Sequence, residues 1–259
     1  MDATERKMKI LNMFQAQREV KISHIVSELH ISRETARRDL AELQNQDKVK
    51  LVRGGAIIKA NKNETAYEKR LNFMEKEKDE IAEAFCKYVK EEDTIYLDFG
   101  TTSLAVARKL HRFNKLTVVT NSLPIINELY KDDHISLLML GGMVRKKEGS
   151  FVGEIAKHAL GSLNINIGFF SGSGFDLKLG LSNFNFAETE LSRTILKQCL
   201  CVVVGVDHTK LDQVYSQKVA NINEIDILIS DEISSKTLIK LRKEIPEVVV
   251  KKVVKKVGN

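Results

Sequence analysis

The 259-residue sequence lacks long apolar runs and has little cysteine. No run approaches the roughly 20 consecutive apolar residues that a membrane-spanning helix needs, and the charged start of the chain lacks the apolar segment of a signal peptide. Cys86, Cys199 and Cys201 make an odd number, and none is spaced with histidine as zinc ligands are. We therefore expect a cytoplasmic protein with free thiols and without a metal site, a cofactor or a membrane partner.

The formal net charge of +6 is distributed unevenly along the chain. Residues 1–60 contain 12 Lys and Arg against eight Asp and Glu, whereas residues 61–250 contain 25 against 27. The last nine residues add four lysines, but residues 247–254 are rich in β-branched side chains, which favours an edge strand over a nucleic-acid-binding tail. A basic amino-terminal part on a nearly neutral body indicates that this part alone contacts a polyanion.

The basic part predicts two short helices joined by a tight turn. Apolar residues recur at helical spacing within residues 23–29, and a second helix begins at Ser32 after only two intervening residues. Ser32 is a suitable N-cap because its hydroxyl can accept a hydrogen bond from the first helical turn. Ala36 and Leu40 share the packed face, which leaves three arginines on the other faces. Alone, such arginines are more often a solvated face, but the preceding helix favours a helix-turn-helix that binds DNA.

Short β-type runs surround Gly54-Gly55, after the second helix. They predict a hairpin, and a hairpin in this position can serve as a wing whose tip lies against the sugar-phosphate backbone. A plain turn and a wing are compatible interpretations of the same two glycines.

The residues from Met8 to Ile58, with Ser32-Arg-Glu-Thr-Ala-Arg-Arg-Asp-Leu40 and Arg53-Gly-Gly-Ala56, resemble the winged helix-turn-helix domain of the DeoR family of bacterial transcription regulators. In that family the second helix of the motif enters the major groove. The resemblance implies the following DNA-binding residues: Ser32, Arg33, Thr35, Arg37, Arg38, Arg53, Gly54 and Gly55. Ala36 departs from the β-branched residue that is common in the family, which bears on packing more than on DNA readout.

The rest of the chain predicts a linker and a larger α/β domain. Residues 61–77 are polar and charged, and we place a winged helix-turn-helix domain at 1–58, a linker at 59–75 and an effector-sensing domain at 76–259. From Thr94 onward, strand-like apolar runs alternate with helical segments. This alternation predicts a mostly parallel sheet with helices on both faces.

Polar residues follow five of the predicted strands. In open α/β sheets ligands bind at the carboxyl ends of the strands, so these turns are expected to converge on one pocket. Gly100 lets the backbone approach a ligand, and Thr101 and Thr102 bring hydroxyl and N–H groups to a helix start, which suits a phosphate. Each feature also has a structural alternative: a tight turn at Asp98–Thr102, an N-cap at Asn121, solvated side chains at Glu188 and Lys210.

The chain contains, in order, Asp98-Phe-Gly-Thr-Thr102, Val119-Thr-Asn121, Gly141-Gly142, Ser171-Gly-Ser-Gly174, Glu188 with Arg193, and Asp207-His-Thr-Lys210. These motifs resemble the DeoR-type sensor domain, which is related in fold to ribose-5-phosphate isomerase and coenzyme A transferases and mostly senses phosphorylated sugars. The resemblance spans about Glu5 to Ile233. It implies the following effector-binding residues: Asp98, Gly100, Thr101, Thr102, Asn121, Gly141, Gly142, Ser171, Gly172, Glu188, Arg193, Asp207 and Lys210. Arg193 stands near a lysine expected in the family, and an arginine binds phosphate as a rigid fork where lysine acts as a point charge. Residues 176–186 also depart from the usual Thr-Pro form of that loop.

The two resemblances imply a sequence-specific repressor of a sugar-metabolism operon, controlled by a phosphorylated sugar or a related metabolite. We expect double-stranded operator DNA as its partner and a homodimer or homotetramer as its assembly. Two alternatives are an isomerase-like enzyme, in which Asp98, Glu188, Asp207 and Lys210 would act as acids and bases, and a DNA-binding regulator without an effector. We expect no catalytic residues, because there is no nucleophile motif and an enzyme would not need residues 1–58.

Overall fold

The computed structural model describes residues 3–16, 19–45, 48–58, 64–160 and 163–254. The chain divides into two compact units, Met1–Glu64 and Thr65–Asn259. The first part of the predicted linker, 59–63, and the last five residues lie outside the described residues. The second part of the predicted linker belongs to the larger unit, because Tyr67–Leu71 forms a helix and the buried Tyr67 packs within that unit.

The described part of the smaller unit contains three helices and a three-stranded antiparallel sheet. Its elements are α1 (Ala3–Ala16), β1 (Glu19–Lys21), α2 (Ile22–Leu29), α3 (Arg33–Asn45), β2 (Val49–Val52) and β3 (Gly55–Ile58), with the strands in the order β1-β3-β2. His30 ends α2 in the left-handed conformation, which turns the chain sharply towards α3. The predicted Ser32 cap and the buried Ala36 and Leu40 are confirmed.

The larger unit alternates strands and helices. Its elements are α4 (Tyr67–Leu71), α5 (Glu75–Phe85), β4 (Thr94–Leu97), α6 (Thr101–Lys109), β5 (Leu116–Thr120), α7 (Leu123–Leu129), β6 (Ile135–Met139), β7 (Met143–Arg145), β8 (Ser150–Val152), α8 (Glu154–His158), β9 (Ile165–Phe170), β10 (Gly174–Asp176), β11 (Gly180–Asn183), α9 (Phe186–Leu196), β12 (Cys199–Gly205), β13 (Gln217–Ala220), β14 (Ile227–Ser234), α10 (Ser235–Glu244) and β15 (Glu247–Val254). None of the described helices combines the length and the apolar character that crossing a bilayer requires.

Seven of these strands form one sheet in the order β15-β14-β12-β9-β4-β5-β6, and every neighbouring pair is parallel. The predicted parallel sheet is therefore confirmed, and so is the position of β15 at an edge. From β4 the chain first builds outwards through β5 and β6, and then returns to place β9 on the other side of β4. The carboxyl ends of β4 and β9 consequently flank the point at which strand order reverses, where open α/β sheets bind ligands.

Helices cover both faces of the sheet, as the alternation of strands and helices predicts. On one face Phe85 of α5 packs edge-on against Phe169 of β9, within a core that α6 and α7 complete. On the other face Tyr96 and Phe170 pack together beneath residues of α9 and α10. Because successive strand residues point to opposite faces, strands buried on both sides require nearly continuous apolar runs. The sheet is thus a rigid platform for the polar turns at its carboxyl edge.

Two smaller β structures lie beside the main sheet. β7 and β8 form an antiparallel hairpin, and β10, β11 and β13 form an antiparallel sheet in that order. The polar stretch 176–186 supplies β11 and the start of α9. These elements bring further polar residues to the carboxyl edge of the main sheet.

Candidate functional sites

The second helix of the helix-turn-helix exposes a row of arginines. Arg33, Arg37 and Arg38 are exposed, whereas Ala36 and Leu40 are buried against the rest of the unit. An α-helix that is packed on one side can insert its free side into the major groove of B-DNA, where arginine can bond guanine edges or phosphates. Arg33, Arg37 and Arg38 are called the arginine face below.

Ser32 and Thr35 contribute mainly to the start of α3. The backbone N–H of Thr35 donates to Ser32 Oγ at 3.1 Å, and the two hydroxyls lie 2.8 Å apart. Both side chains remain at least partly accessible, so they can also meet a phosphate. Their hydrogen bonds to each other fix the first turn, whose backbone N–H groups favour an anion.

A buried ion pair orients the arginine face. Arg6 of α1 meets Asp39 of α3 through Nε to Oδ2 at 2.5 Å and through Nη2 to Oδ1 at 3.0 Å, and Asp39 is almost fully buried. Asp39 lies three residues after Ala36 on the packed face, so the helical period could have shown that this carboxylate needs a partner. We did not predict a role for it from the sequence.

The wing is a two-residue hairpin turn. Val52 pairs with Gly55, which leaves the exposed Arg53 and Gly54 at the tip, and Gly54 has φ +87°. Gly55 is buried in β3, and a Cβ added to it would lie 2.3 Å from the carbonyl oxygen of Val20. This close packing against β1 accounts for the glycine, and the contact of Gly55 with DNA stays a prediction.

The carboxyl end of β4 holds a fully buried polar network. Tyr96 Oη lies 3.1 Å from Asp98 Oδ1 and 3.0 Å from Asn121 Oδ1, and Ser192 Oγ lies 3.2 Å from the same oxygen of Asp98. Asn121 Nδ2 donates to the carbonyl of Phe151 at 3.1 Å, so Asn121 ties β5 to β8 and is not a helix cap. Asp98 Oδ2 has no hydrogen-bond partner within the described structure.

The start of α6 lies directly after this network. Gly100 precedes the helix with φ +108°, a conformation that a side chain disfavours, and a Cβ added there would approach Ser171 Oγ at 3.7 Å. Thr101 and Thr102 are buried in the first turn, where backbone N–H groups lack helical acceptors. Among the described contacts, Thr102 Oγ1 also lacks a partner. Buried unpaired polar atoms at a helix start are characteristic of an anion-binding site.

Glu188 begins a line of ion pairs that sequence reasoning missed. It is buried, accepts a hydrogen bond from Ser150 Oγ, and lies 3.2 Å from Arg145 Nη1. Arg145 also lies 3.9 Å from the buried Glu148, and Arg70 donates to both oxygens of Glu148. Arg145 and Glu148 lie in the segment after Gly141-Gly142, whose composition is typical of a loop and does not predict buried side chains. Arg70 lies in the predicted linker.

Asp207 and Lys210 stand at the carboxyl end of β12. Asp207 accepts from the N–H of Thr209 at 3.1 Å and from its hydroxyl, and Lys210 Nζ lies 3.8 Å from Asp207 Oδ2. Burial lowers the pKa of Lys210, with the Asp207 carboxylate opposing that effect. Next to them, Lys78 is buried and donates to the carbonyls of Arg70 and Leu71. Burial, followed by the charge of Lys210, lowers the pKa of Lys78 to about 8.

These contacts join into one group of polar side chains at the carboxyl edge of the sheet. The strand-end cluster consists of Arg70, Lys78, Asp98, Asn121, Arg145, Glu148, Glu188, Ser192, Asp207 and Lys210. Four cationic side chains thus face four carboxyl groups. Burial raises the pKa of Asp98 to about 8, with hydrogen bonds from Phe99, Tyr96 and Ser192 opposing the shift. With Asp98 neutral, the cluster carries a net positive charge, which favours an anionic ligand.

Arg193 does not join the strand-end cluster. Its side chain is exposed, and its Nε donates to the carbonyl of Lys218 at 2.5 Å. Glu188 and Ser192 are four residues apart and share the inward face of α9, whereas Arg193 lies about 140° around the helix from Glu188. The structure thus places Arg193 outside this cluster, and Ser192 is the residue of α9 that meets Asp98. Effector binding by Arg193 stays a prediction.

Of the remaining predicted glycines, Gly142 and Gly172 serve close packing, whereas Gly141 does not. Gly142 has φ +136°, and an added Cβ would lie 2.6 Å from the carbonyl oxygen of Val152. A Cβ on Gly172 would lie 2.4 Å from Leu181 Cδ1. A Cβ on Gly141 would meet nothing within 4 Å, so the space beside this residue is open. Within the described residues, no group of three or more His, Cys, Asp or Glu is arranged to hold a metal ion.

Comparison with known families and proteins gives a consistent result. The chain matches the DeoR-like helix-turn-helix domain over residues 6–62 and the DeoR C terminal sensor domain over residues 74–232. It is 32% identical over 237 residues to the HTH-type transcriptional regulator GolR of Listeria innocua, which covers 91% of this chain and 93% of the relative. It is 28% identical over 231 residues to the glycerol-3-phosphate regulon repressor of Escherichia coli K12, which covers 89% of this chain and 92% of the relative.

Solved structures share only a distant likeness with this chain. A D-ribose-5-phosphate isomerase in complex with phospho-erythronic acid aligns with a TM-score of 0.41 and 17% identity, over 53% of this chain and 54% of that one. The β subunit of eIF2B from Chaetomium thermophilum aligns with a TM-score of 0.44 and 12% identity, over 62% of this chain and 50% of that one. A likeness of this degree does not bear on function.

Proposed function

Because this chain belongs to the DeoR family of transcriptional regulators, we propose that it is a repressor that binds operator DNA through the arginine face and the wing. The repressed genes would serve sugar metabolism, and a phosphorylated sugar or related metabolite would control the binding. The observation that carries the DNA-binding role is the exposed arginine face on a helix whose opposite side is fixed by apolar packing and by the Arg6–Asp39 ion pair. Such a face combines groove contact with neutralisation of phosphates.

The strand-end cluster supports the effector role. It lies at the switch point of a parallel sheet, where α6 begins. Asp98 Oδ2 of the cluster and Thr102 Oγ1 in the first turn of α6 are buried without partners in the described structure. An anion at the start of α6 would accept hydrogen bonds from the free backbone N–H groups of the first helical turn. Effector binding would then shift the protein between two states with different operator affinities.

We propose that at least two subunits act together on the operator. Helix-turn-helix proteins commonly bind two half-sites about one helical turn apart, which requires two recognition helices in a fixed relation. Sedimentation of the full chain with and without operator DNA tests this assembly directly.

We propose no catalytic role for the strand-end cluster. Glu188 and Glu148 are engaged in ion pairs with arginines, which suits binding and orientation better than proton transfer. Incubation of the pure protein with ribose 5-phosphate, followed by detection of the ketose isomer, tests this. Turnover well above the buffer rate would contradict the proposal.

A mobility-shift titration on the DNA upstream of the protein's own operon tests the regulatory function. We expect wild-type protein to bind this DNA specifically, and Arg37→Ala/Arg38→Ala to lose at least about tenfold in affinity. Lys236→Ala/Lys240→Ala removes the same charge from two exposed lysines of α10 and serves as the matched control. Equal binding by the arginine variant and the wild type would contradict the assignment of the arginine face.

A second arm of the same titration tests the effector. Phosphorylated pentoses, hexoses and ketoses are added one at a time, and each is also tested for its effect on the melting midpoint. A ligand that binds the folded state raises that midpoint. If no sugar phosphate changes either the midpoint or DNA affinity, the protein is a DNA-binding regulator without an effector of this class.

A further inference from the structure

In the network around Asp98, close oxygen–oxygen contacts outnumber the hydroxyl protons that could form hydrogen bonds between them. Three oxygen pairs lie within hydrogen-bond distance: Tyr96 with Asp98 at 3.1 Å, Tyr96 with Asn121 at 3.0 Å, and Ser192 with Asp98 at 3.2 Å. Each pair needs one proton between its oxygens. Tyr96 and Ser192 together supply two.

The amide of Asn121 cannot supply the third proton. Its Nδ2 donates to the carbonyl oxygen of Phe151 at 3.1 Å, which directs its Oδ1 towards Tyr96. The opposite orientation would put Asn121 Oδ1 against the Phe151 carbonyl, so that two acceptors would face each other. All the side chains of this network are fully buried, which keeps water from filling the gap.

We propose that Asp98 is a neutral carboxylic acid in the folded protein and supplies the missing proton, and that its ionisation weakens anion binding at the start of α6. Asp98 then donates to Tyr96, and Tyr96 donates to Asn121, so all three contacts become hydrogen bonds. A neutral carboxyl group also explains how Asp98 Oδ2 remains buried without a partner among the described contacts, since an ionised oxygen there would be far more costly.

Burial and the charge of Glu188 on α9 favour the neutral form of Asp98, whereas hydrogen bonds from Phe99, Tyr96 and Ser192 favour the ionised form. On its own strand, Tyr96 keeps its proton, because burial and the neighbouring Asp98 raise its pKa well above the usual value. From α9, the charge of Glu188 opposes ionisation of Asp98, and Glu188 is itself paired with Arg145 of β7. From the turn after β5, Asn121 offers only an oxygen. Burial is the largest influence, and the resulting pKa of about 8 agrees with the proton count.

Ionisation has a consequence for ligand binding, and this half of the proposal rests on the proposed effector function. The backbone N–H of Phe99 donates to the Asp98 carboxyl group, and Gly100 and the first turn of α6 follow directly in the chain. Loss of the proton to solvent places a buried negative charge beside the N–H groups that would hold an anion. Anion affinity should therefore fall as pH rises past the point at which Asp98 ionises.

Infrared difference spectra of protein labelled with ¹³C in the aspartate carboxyl groups test the first half without any ligand. We expect a protonated-carboxyl band at about pH 6 that loses half its intensity near pH 8 and is absent from Asp98→Asn. Asp207→Asn should retain that band, because the Asp207 carboxylate lies beside the Lys210 ammonium. Ser192→Ala removes a donor to Asp98 and should move the midpoint to higher pH. Identical spectra for wild type and Asp98→Asn, or a midpoint lowered by Ser192→Ala, would overturn the proposal.

Thermal shifts with inorganic phosphate and ribose 5-phosphate test the second half. Wild-type affinity for these probes should fall more steeply between about pH 7 and pH 9 than that of Asp98→Asn, because ionisation of the probes and of Lys78, whose pKa is about 8, affects both proteins equally. Equal pH dependence in the two proteins would overturn the second half. If neither probe binds at any pH, both the proposed effector class and the effect of Asp98 on anion binding are contradicted. The infrared spectra still decide whether Asp98 is protonated.

Discussion

Arg70 donates to both carboxylate oxygens of Glu148, although 78 residues separate them in the chain. Arg70 belongs to α4, the first element of the larger unit, and Glu148 lies in the hairpin that carries Arg145. The segment that follows the smaller unit in sequence is therefore anchored to the strand-end cluster by a buried carboxylate. A change in the cluster can reach α4 through this ion pair and through Lys78, which donates to the carbonyls of Arg70 and Leu71.

Arg70→Ala should destabilise the larger unit strongly. Removing one partner of a buried ion pair leaves an uncompensated charge, and losses of about 3 kcal/mol are typical. Arg112→Ala, which breaks an exposed pair with Glu83, should cost less than about 1 kcal/mol. Urea unfolding of both variants measures the difference. Similar losses in the two variants would mean that Glu148 finds a new partner when Arg70 is absent.

Asp39→Ala should weaken both the fold of the smaller unit and DNA binding. The Arg6 guanidinium would lose the carboxylate on α3 that accepts two of its hydrogen bonds, and the free energy of unfolding should fall by about 3 kcal/mol. Glu42→Ala removes a carboxylate that pairs with Lys7 and is about half exposed, so its effect should stay below about 1 kcal/mol. Thermal unfolding and operator titration, performed on both variants, check this. Full DNA affinity in Asp39→Ala would show that the arginine face does not depend on the ion pair.

The two glycines of the wing should respond differently to alanine. At Gly55 the new Cβ would collide with the Val20 carbonyl, so Gly55→Ala should disrupt the pairing of β1 with β3 and destabilise the unit by more than about 2 kcal/mol. At Gly54 the surroundings are open and only the positive φ is unfavourable, for which about 1 kcal/mol is expected. Denaturant unfolding of the two single variants ranks them. The reverse order would contradict the packing role of Gly55.

Lys78 should make stability rise with pH in the alkaline range. Its pKa is about 8 in the folded protein and 10.5 ordinarily, so between these values the unfolded chain binds more protons than the folded one and the free energy of unfolding increases with pH. The full effect amounts to about 3 kcal/mol. Lys78→Met should remove this increase, whereas Lys76→Met, at an exposed position of the same helix, should keep it. The free energy of unfolding of both variants, measured below pH 8 and above pH 10.5, shows whether Lys78 causes the increase.

The fold follows from sequence patterns that have a direct physical cause. Strands buried on both faces must be continuously apolar, and parallel neighbours need a crossover, so the alternation after Thr94 predicts the main sheet and its helices. Ala36 and Leu40 are found on the packed face of α3 because the helical period fixes which residues point inward. The small antiparallel strands β7, β8 and β10 were not predicted, since three residues are too few to display a period.

The strand-end cluster was predicted only where a residue lies directly at the end of a strand. Asp98, Asn121 and Asp207 are brought there by the sheet itself. Arg70 and Lys78 arrive from helices whose placement depends on tertiary packing, which local sequence does not encode. Arg193 lies outside the cluster although it follows Ser192 directly, because one further residue along a helix turns the side chain by about 100°.

β15 has one neighbour in the described sheet, and its other side offers backbone N–H and C=O groups to any strand that approaches. Lys251 and Lys252 are exposed on it, and Lys252 pairs with Glu232 at 3.0 Å on the adjoining strand. Two molecules that approached through this edge would bring like charges together, which opposes the edge-to-edge pairing that leads to aggregation. The lysines of the last strand therefore protect the protein against self-association through the sheet.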